Sequence, residues 1–194
     1  SLGGNVEEWI SKCGKFRDTI IESLYTSKEY QDFISCDIAK WSIPKQEIGD
    51  RSCYTKETDK KRFISVDLEK ANFQALKYSG VVEDDTYEDL IYRYGGSEYV
   101  AKSKYLRQVI FGKLNPKRTI TVERFLINKI KEYFLSSFPL TLFSFGNDEL
   151  IYEYRDGLDY EKIKEKDLSL VADIGWLLAI DALYFIVLFL VVVL

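Results

Sequence analysis

Acidic residues stand at the ends of two strand-like segments of the sequence. The segment Phe143–Glu153 holds two apolar runs around a Gly-Asn turn, which predicts a β-hairpin with Asp148 and Glu149 at or just past its tip. A second apolar run, 63–67, ends on Asp67 and leads into a helical pattern. Carboxylates at the ends of neighbouring strands are what a two-metal phosphoryl-transfer site needs. The spacing therefore suggests Asp67 and Asp148 as shared ligands of Mg²⁺, with Glu149 close by.

Each of these acids also has a purely structural explanation. Asp67 comes just before a helical pattern, where an aspartate often serves as the helix N-cap. Asp148 and Glu149 follow a Gly-Asn pair, and short acidic side chains are common in hairpin turns. The sequence leaves both explanations open beside the metal-binding one.

A basic stretch lies between the two acidic segments. Residues 100–131 carry nine Lys or Arg and one acid, Glu123, for a net charge of +8, whereas the whole chain has a net charge of −4. Such a patch predicts contact with a polyanion, namely nucleic acid, nucleotide phosphate or anionic lipid, and a solvated helix face is the alternative. Tyr105 and Phe111 are candidates to stack on bases, although aromatic residues at this spacing more often pack in the core. The candidate phosphate-binding residues are Lys102, Lys104, Arg107, Lys113, Lys117 and Arg118.

The composition excludes several kinds of site. The chain has 194 residues and is 46% hydrophobic, which suits one packed domain with appendages. It contains no His, and this excludes Ser-His and Cys-His catalysis as well as zinc or haem sites that use His. Its three cysteines, Cys13, Cys36 and Cys53, are widely spaced and form no Cys-x-x-Cys pair. We therefore expect reduced thiols in a cytosol-like compartment rather than a zinc site.

The hydrophobic periodicity predicts an α+β fold. Strand 63–67 and the hairpin 140–154 should form a small antiparallel sheet, and helices should cover one of its faces. The helical spacing predicts helices near 5–24, 27–34, 69–78, 97–114 and 120–137. A further helix is predicted to be capped within 84–86 and to end at Gly95-Gly96. The expected organisation is an N-terminal helical region and loop over 1–62, an α+β core over 63–157, a charged linker over 158–173 and an apolar tail over 174–194.

The apolar tail differs in kind from the rest of the chain. Ile174 to Leu194 is 21 residues long and carries one charge, Asp181, and about 20 apolar residues suffice to span a bilayer. Three lysines precede the tail, so the positive-inside rule would keep the main domain on the cytoplasmic face. A buried C-terminal helix in a large assembly is the competing interpretation, because Asp181 would be costly within lipid. In either case we predict one helix that is apolar on every side.

Three segments, taken in order, resemble the palm and fingers motifs of the DNA polymerase I family. That family's first motif is a strand ending in Asp followed by a helix, and here Val66-Asp67 leads into 68–80. Its fingers helix carries a Lys four residues before Phe-Gly, and here Arg107 stands at that position before Phe111-Gly112. Its last motif is His-Asp-Glu before an apolar strand, and this chain has Asn147-Asp148-Glu149. The resemblance covers about residues 63–154.

The resemblance implies a reduced palm that binds nucleotide or nucleic acid. Asp67, Asp148 and Glu149 would be its catalytic carboxylates, two Mg²⁺ ions its cofactors, and Arg107 with Lys104 or Lys102 would neutralise a triphosphate. The chain departs from the family at several positions, and Asp148 follows Arg107 after only 41 positions, a far shorter gap than the family's. The departures are Asn72 in place of Glu, Ser103 in place of Arg, Asn115 in place of Tyr and Asn147 in place of His.

A different class of protein fits the same sequence. In this alternative the chain is a membrane-anchored structural or assembly protein, such as a component of a large viral or organellar particle, without catalysis. The acids would then be structural, the basic stretch would contact a partner or lipid, and residues 174–194 would hold the chain to a membrane or to other proteins.

Overall fold

The computed structural model describes residues 6–154 and 186–192, and over these the fold is α+β, as predicted. The described helices are α1 (Val6–Thr26), α2 (Lys28–Ser35), α3 (Ala71–Tyr78), α4 (Tyr87–Arg93), α5 (Glu98–Ala101), α6 (Lys104–Phe111) and α7 (Pro116–Ser137). The described strands are β1 (Arg62–Leu68), β2 (Thr141–Phe145), β3 (Glu149–Glu153) and β4 (Ile186–Val192). Two short 3₁₀-helices, Ile38–Trp41 and Lys56–Thr58, interrupt the segment between α2 and β1.

The four strands form one antiparallel sheet in the order β2-β3-β1-β4. The predicted pairing of the 63–67 strand with the hairpin is confirmed, because β1 lies beside β3 with Phe63 opposite Glu153 and Asp67 opposite Glu149. The hairpin strands β2 and β3 pair with a register shift between Leu142 and Ser144. Since β3 lies between β1 and β2, the connection from β1 through the helices to β2 is a split β-α-β arrangement.

Side chains alternate along each strand, so the register defines two faces of the sheet. One face, here called the helix face, carries Ile64, Val66, Leu68, Leu150 and Tyr152. The Phe134 ring of α7 stacks on the Tyr152 ring with their centroids 5.9 Å apart, and both side chains are fully buried. Helix α7 therefore covers this face, as the apolar spacing of 120–137 predicts.

The opposite face, here called the loop face, carries Phe63, Ser65, Asp67, Glu149 and Ile151. Cys53, from the segment before β1, forms a buried cluster with Phe63 and Ile151, and Phe143 packs against it. The same segment hydrogen-bonds to β2, because the Gly49 carbonyl accepts from the Phe145 N–H at 3.2 Å. A loop rather than a helix thus covers this side of the sheet.

The single helix predicted over 97–114 is wrong, because the structure has two short helices there, α5 and α6. The break lies at Ser103, whose hydroxyl accepts a hydrogen bond from the Leu106 N–H at 3.2 Å and so caps the start of α6. Helix α7 begins at Pro116, earlier than predicted, after Asn115 adopts a positive φ of 46°. Proline suits a first helical turn because its missing N–H has no partner there.

The apolar tail is described only over Ile186–Val192, and there it is a strand rather than the predicted helix. Strand β4 pairs with β1 along its whole length, with Leu68 opposite Ile186 and Arg62 opposite Val192. A run rich in Val, Ile and Phe suits a strand, and periodicity alone does not separate such a run from a buried helix. The rest of the predicted tail helix, and the linker over 158–173, lie outside the described residues. No helix within the described residues is long and apolar enough to cross a membrane.

The chain divides into two compact units, each built from two stretches. The first unit is Ser1–Asp37 with Leu76–Thr119, and the second is Ile38–Ala75 with Ile120–Leu194. The sheet and most of α7 belong to the second unit, and helices α4, α5 and α6 belong to the first.

Candidate functional site at the acidic end of the sheet

Three predicted acids meet at one end of the sheet, where β1 ends and the β2–β3 hairpin turns. Gly146, Asn147 and Asp148 form the turn, which is closed by a 2.8 Å hydrogen bond from the Gly146 N–H to the Glu149 carbonyl. The Leu68 N–H donates to the Asp148 carbonyl at 2.8 Å. We call this end, with Asp67, Asp148 and Glu149, the acidic end. Its backbone is fixed by the sheet ladder on one side and by the turn on the other.

Asp67 and Glu149 lie on the loop face, directly opposite each other in the register. Both side chains are half-buried. The buried Ser65 hydroxyl donates to Glu149 Oε1 at 2.5 Å, so this carboxylate has a donor within the sheet. Burial raises the pKa of the nearby Cys53 thiol, and the Glu149 charge raises it further. Cys53 is therefore a protonated core thiol rather than a nucleophile.

Asp148 interacts with a fourth carboxyl group, that of Glu123 on α7. Glu123 is buried, with 8% of its surface exposed, while Asp148 is exposed at the turn. Burial is the main cause that raises the pKa of Glu123 to about 7, and the Asp148 charge adds to it. Among the described residues, no hydrogen bond or ion pair joins the Glu123 carboxyl group to a donor. The neighbouring Arg124 points instead to Asn147, whose Oδ1 lies 3.5 Å from its Nη1.

The acidic end thus carries Asp67 opposite Glu149 on the loop face and the exposed Asp148 at the turn, and the charge of Asp148 acts on Glu123 of α7. Among the described residues, no three Asp, Glu or Cys side chains converge into a group that could hold a metal ion. Carboxylate oxygens nevertheless suit Mg²⁺, which is commonly held by one or two carboxylates and completed by water and substrate phosphate. The residues present therefore fit a Mg²⁺ ion with an open coordination shell, and they do not form a closed protein cage.

The predicted cations of α5 and α6 belong to the first unit. Lys102 Nζ is 2.6 Å from Glu98 Oε1, an exposed ion pair that raises the pKa of the lysine through its hydrogen bond with Glu98. Lys104 is exposed at the start of α6. The Arg107 guanidinium lies 5.8 Å from the Tyr87 ring centroid, and its buried Nε has no hydrogen-bond partner. Of these three cations, Lys104 is exposed and is not in an ion pair like that of Lys102.

The basic turn 113–118 contains cations of two kinds. Lys113 and Lys117 are exposed, as a phosphate contact requires. Arg118 is half-buried, and its Nη2 donates to the Cys36 carbonyl at 2.5 Å while its guanidinium lies 5.5 Å from the Phe33 ring centroid. Arg118 therefore holds the turn against α2, and the two lysines are the cations that face solvent.

Glu123 is the residue that sequence reasoning missed. In the sequence it stands out only as the single acid of the basic stretch 100–131. The buried positions of α7 include Thr119, Glu123, Ile127, Ile130 and Phe134, which recur at helical spacing. A carboxyl group on the core stripe of a helix was therefore a signal available in the sequence.

No family model matches the chain, and no curated protein or solved structure matches it either.

Proposed function

We propose that this chain is a reduced polymerase-like palm that binds nucleotide or nucleic acid with divalent metal ions. The observation that carries the proposal is the pairing of β1 with β3. This pairing sets Asp67 opposite Glu149 and hydrogen-bonds the end of β1 to the Asp148 backbone. The DNA polymerase I family, which the chain resembles over 63–154, likewise has acids at the end of one strand and at a hairpin turn.

Asp67 and Asp148 are the proposed Mg²⁺ ligands, and Glu149 supports them. A bound Mg²⁺ would supply positive charge against the oxygens of a phosphate group. Ser65 would orient the Glu149 carboxylate through its 2.5 Å hydrogen bond. The sheet ladder and the turn already fix the backbone of these acids, so cation binding would require little further ordering of the backbone there.

The exposed cations of the first unit are the proposed contacts to the polyanion. Lys104, Lys113 and Lys117 are exposed, and Tyr105, with 75% of its surface exposed, stands next to Lys104. Lysines bind phosphate without reading sequence, and an exposed aromatic ring can stack on an unpaired base. Phe111 is buried and takes no part in this surface.

The proposal concerns binding rather than turnover. Asn72 stands where the family has Glu, and its Oδ1 accepts from the Phe73 N–H at 2.9 Å at the start of α3. Asn147 stands where the family has His, and it contacts Arg124. Both side chains have local structural contacts, which is consistent with a palm that has lost part of its catalytic set.

Binding of a labelled nucleotide and of a single-stranded oligonucleotide, measured by fluorescence anisotropy with Mg²⁺ or with EDTA, tests the proposal. We expect Asp67→Asn to remove the Mg²⁺-dependent part of nucleotide binding. Replacing Lys113 and Lys117 with Ala should reduce the salt dependence of oligonucleotide binding by roughly 0.7 in slope per lost contact. A double Lys15→Ala, Lys45→Ala variant, which removes two exposed lysines elsewhere, is the matched control. Absence of any binding at low salt, or binding unchanged by Asp67→Asn and by EDTA, would reject the proposal.

A second candidate is an assembly protein, at a membrane or within a large particle, in which the charged residues are structural. The internal contacts of the predicted site residues favour it: Lys102 pairs with Glu98, Arg118 with the Cys36 carbonyl and Glu149 with Ser65. In this case the apolar tail, whose described part is the edge strand β4, would contact lipid or a protein partner. Cell fractionation followed by sedimentation of the full chain tests it. Recovery with membranes or in a large complex supports this candidate, and a free monomer in the absence of detergent contradicts it.

A further inference from the structure

The two edges of the sheet differ in what covers them. The strand order is β2-β3-β1-β4, so β2 forms one edge of the described sheet and β4 forms the other. An edge strand presents backbone N–H and C=O groups that have no partner within the sheet, and these groups can pair with a strand of another chain. What covers each edge therefore decides where the sheet can be extended.

The edge at β2 is covered by the segment that precedes β1. The Gly49 carbonyl accepts from the Phe145 N–H at 3.2 Å, and the Arg51 Nε donates to the Phe143 carbonyl. The Arg51 N–H also donates to the Ser144 hydroxyl at 2.9 Å. A register shift within the β2–β3 pair makes this strand irregular as well. Backbone groups that an added strand would need at β2 are thus already bonded within the chain.

The edge at β4 has no such cover among the described residues. Strand β4 pairs with β1 over Ile186–Val192, and no other described segment is hydrogen-bonded to its backbone. Seven residues make an edge about 23 Å long at the usual rise of about 3.3 Å per residue. A long edge strand of this kind can accept a further strand.

The register shows which backbone groups of β4 lie at the open edge. The Leu68 N–H bonds to the Asp148 carbonyl, and the Arg62 carbonyl accepts from the Tyr154 N–H, both on the β3 side of β1. Successive residues of an antiparallel strand direct their backbone groups to opposite sides, so residues 63, 65 and 67 direct theirs to β4. The β4 residues opposite the even-numbered residues of β1 therefore direct theirs to the open edge, and they are Ile186, Leu188, Leu190 and Val192.

The sequence of β4 suits pairing with an identical strand. All of its residues are Ile, Val, Leu or Phe, and it contains no charged residue, proline or glycine. Lysines, prolines and bulges are the usual protection of an exposed edge, and β4 has none of these in its sequence or register. Apolar and β-branched residues placed opposite each other stabilise antiparallel strands, and two copies of β4 supply only such pairs.

We infer that the β4 edge is a dimer interface, at which β4 of a second copy of this chain pairs antiparallel with it. The two sheets then form one continuous sheet about a two-fold axis, and each copy contributes the same residues. Because residues 49–51 block the β2 edge, the described sheet offers one open edge in each copy. The assembly therefore closes at two copies and does not grow into a filament. Dimerisation goes beyond the proposed function, since it requires neither Mg²⁺ nor nucleotide.

Sedimentation velocity of the full chain without detergent, over a wide range of concentrations, tests the inference. We expect a dimer that dissociates reversibly on dilution. Leu190→Pro removes an N–H that points to the open edge and places a ring there, without removing a hydrogen bond to β1. It should weaken the dimer by about tenfold or more, because each copy loses one bond of the new ladder. Leu190→Val keeps the N–H and is the matched control, which should dimerise as the parent does.

Hydrogen exchange of the parent chain, resolved by residue with NMR, locates the interface without any substitution. In the dimer the edge-facing amides of Leu188 and Leu190 should exchange as slowly as those of Val187 and Phe189, which face β1. In an open edge strand the two sets would alternate between fast and slow exchange. This measurement decides the outcome if circular dichroism shows that Leu190→Pro does not fold.

Several results would overturn the inference. One is a parent chain that stays monomeric at every concentration, or that enters phosphatidylcholine vesicles as a monomer. Another is growth into filaments, which would require a second open edge. A dimer that Leu190→Pro leaves as tight as that of the parent, or in which the edge-facing β4 amides exchange fast, would place the interface elsewhere.

Discussion

Two glutamates at the same end of the sheet differ in how the fold treats their charge. Glu149 lies on the loop face, half-buried, and accepts a hydrogen bond from Ser65. Glu123 lies on α7, almost fully buried, without a donor among the described residues. Burial is the main cause of the raised pKa of Glu123, and no donor among the described residues compensates for the hydration that its carboxyl group has lost.

The segments that pack on the two faces of the sheet explain why one glutamate has a hydrogen-bond donor and the other has none among the described residues. The loop face is covered by an irregular segment whose polar groups reach the sheet, as when the Arg51 N–H donates to the Ser144 hydroxyl at 2.9 Å. Helix α7 has its backbone donors engaged within the helix and offers mainly apolar side chains. A carboxyl group on that apolar stripe therefore finds few donors.

The largest expected effect comes from removing the packing of each face. Phe134→Ala should lower the free energy of unfolding by about 3–5 kcal/mol, because a fully buried ring stacked on Tyr152 is replaced by a cavity. Phe143→Ala on the loop face should lower the free energy of unfolding by clearly less, since Phe143 is only half-buried against Phe63. Urea unfolding of both variants measures the difference. Equal losses would mean that the two faces contribute alike.

The second largest effect concerns Glu123 and the way its ionisation makes stability depend on pH. The pKa of Glu123 is about 7 in the folded chain and 4.5 ordinarily. The stability linked to this group is therefore fully present below about pH 4.5 and is lost as the pH rises through 7, by roughly 3 kcal/mol. In EDTA, Glu123→Gln should be more stable than the parent at pH 8 and should lose this advantage at pH 4.

Urea unfolding of both proteins between pH 4 and 8.5 measures this dependence. Glu132 is an exposed acid on the same helix, so in the same pH series the unfolding free energy of Glu132→Gln should change with pH as that of the parent does. A stability difference between Glu123→Gln and the parent that does not change with pH would show that Glu123 has an ordinary pKa.

The smallest effect concerns the donor on the loop face. Ser65→Ala removes the hydrogen bond to Glu149 and should lower the free energy of unfolding by about 1 kcal/mol, because the half-buried carboxylate can recover some hydration. Ser136→Ala, an exposed serine on α7, is the control and should change stability by less than about 0.5 kcal/mol. A loss of more than about 3 kcal/mol for Ser65→Ala would mean that Glu149 depends on this donor as a buried charge does.

Local signals predicted most of the helix starts correctly. The Ser27 hydroxyl accepts from the Tyr30 N–H at the start of α2, and Thr86 forms a capping box with Asp89 at the start of α4. The prediction failed where a similar signal was overlooked, at Ser103 between α5 and α6. These features depend on residues within one helical turn of each other, which is why the sequence can reveal them.

The sequence by itself determined the α+β class, the strand that ends near Asp67 and the hairpin turn at Asp148 and Glu149, because alternation and turn chemistry are local. Only the tertiary structure decided that Asp67 faces Glu149, that Arg118 is held by the Cys36 carbonyl, and that the described part of the tail is a strand beside β1. It also decided that Glu123 is buried near Asp148. These outcomes depend on strand register and on contacts between distant segments, and a one-residue change of register would reverse the face of every side chain.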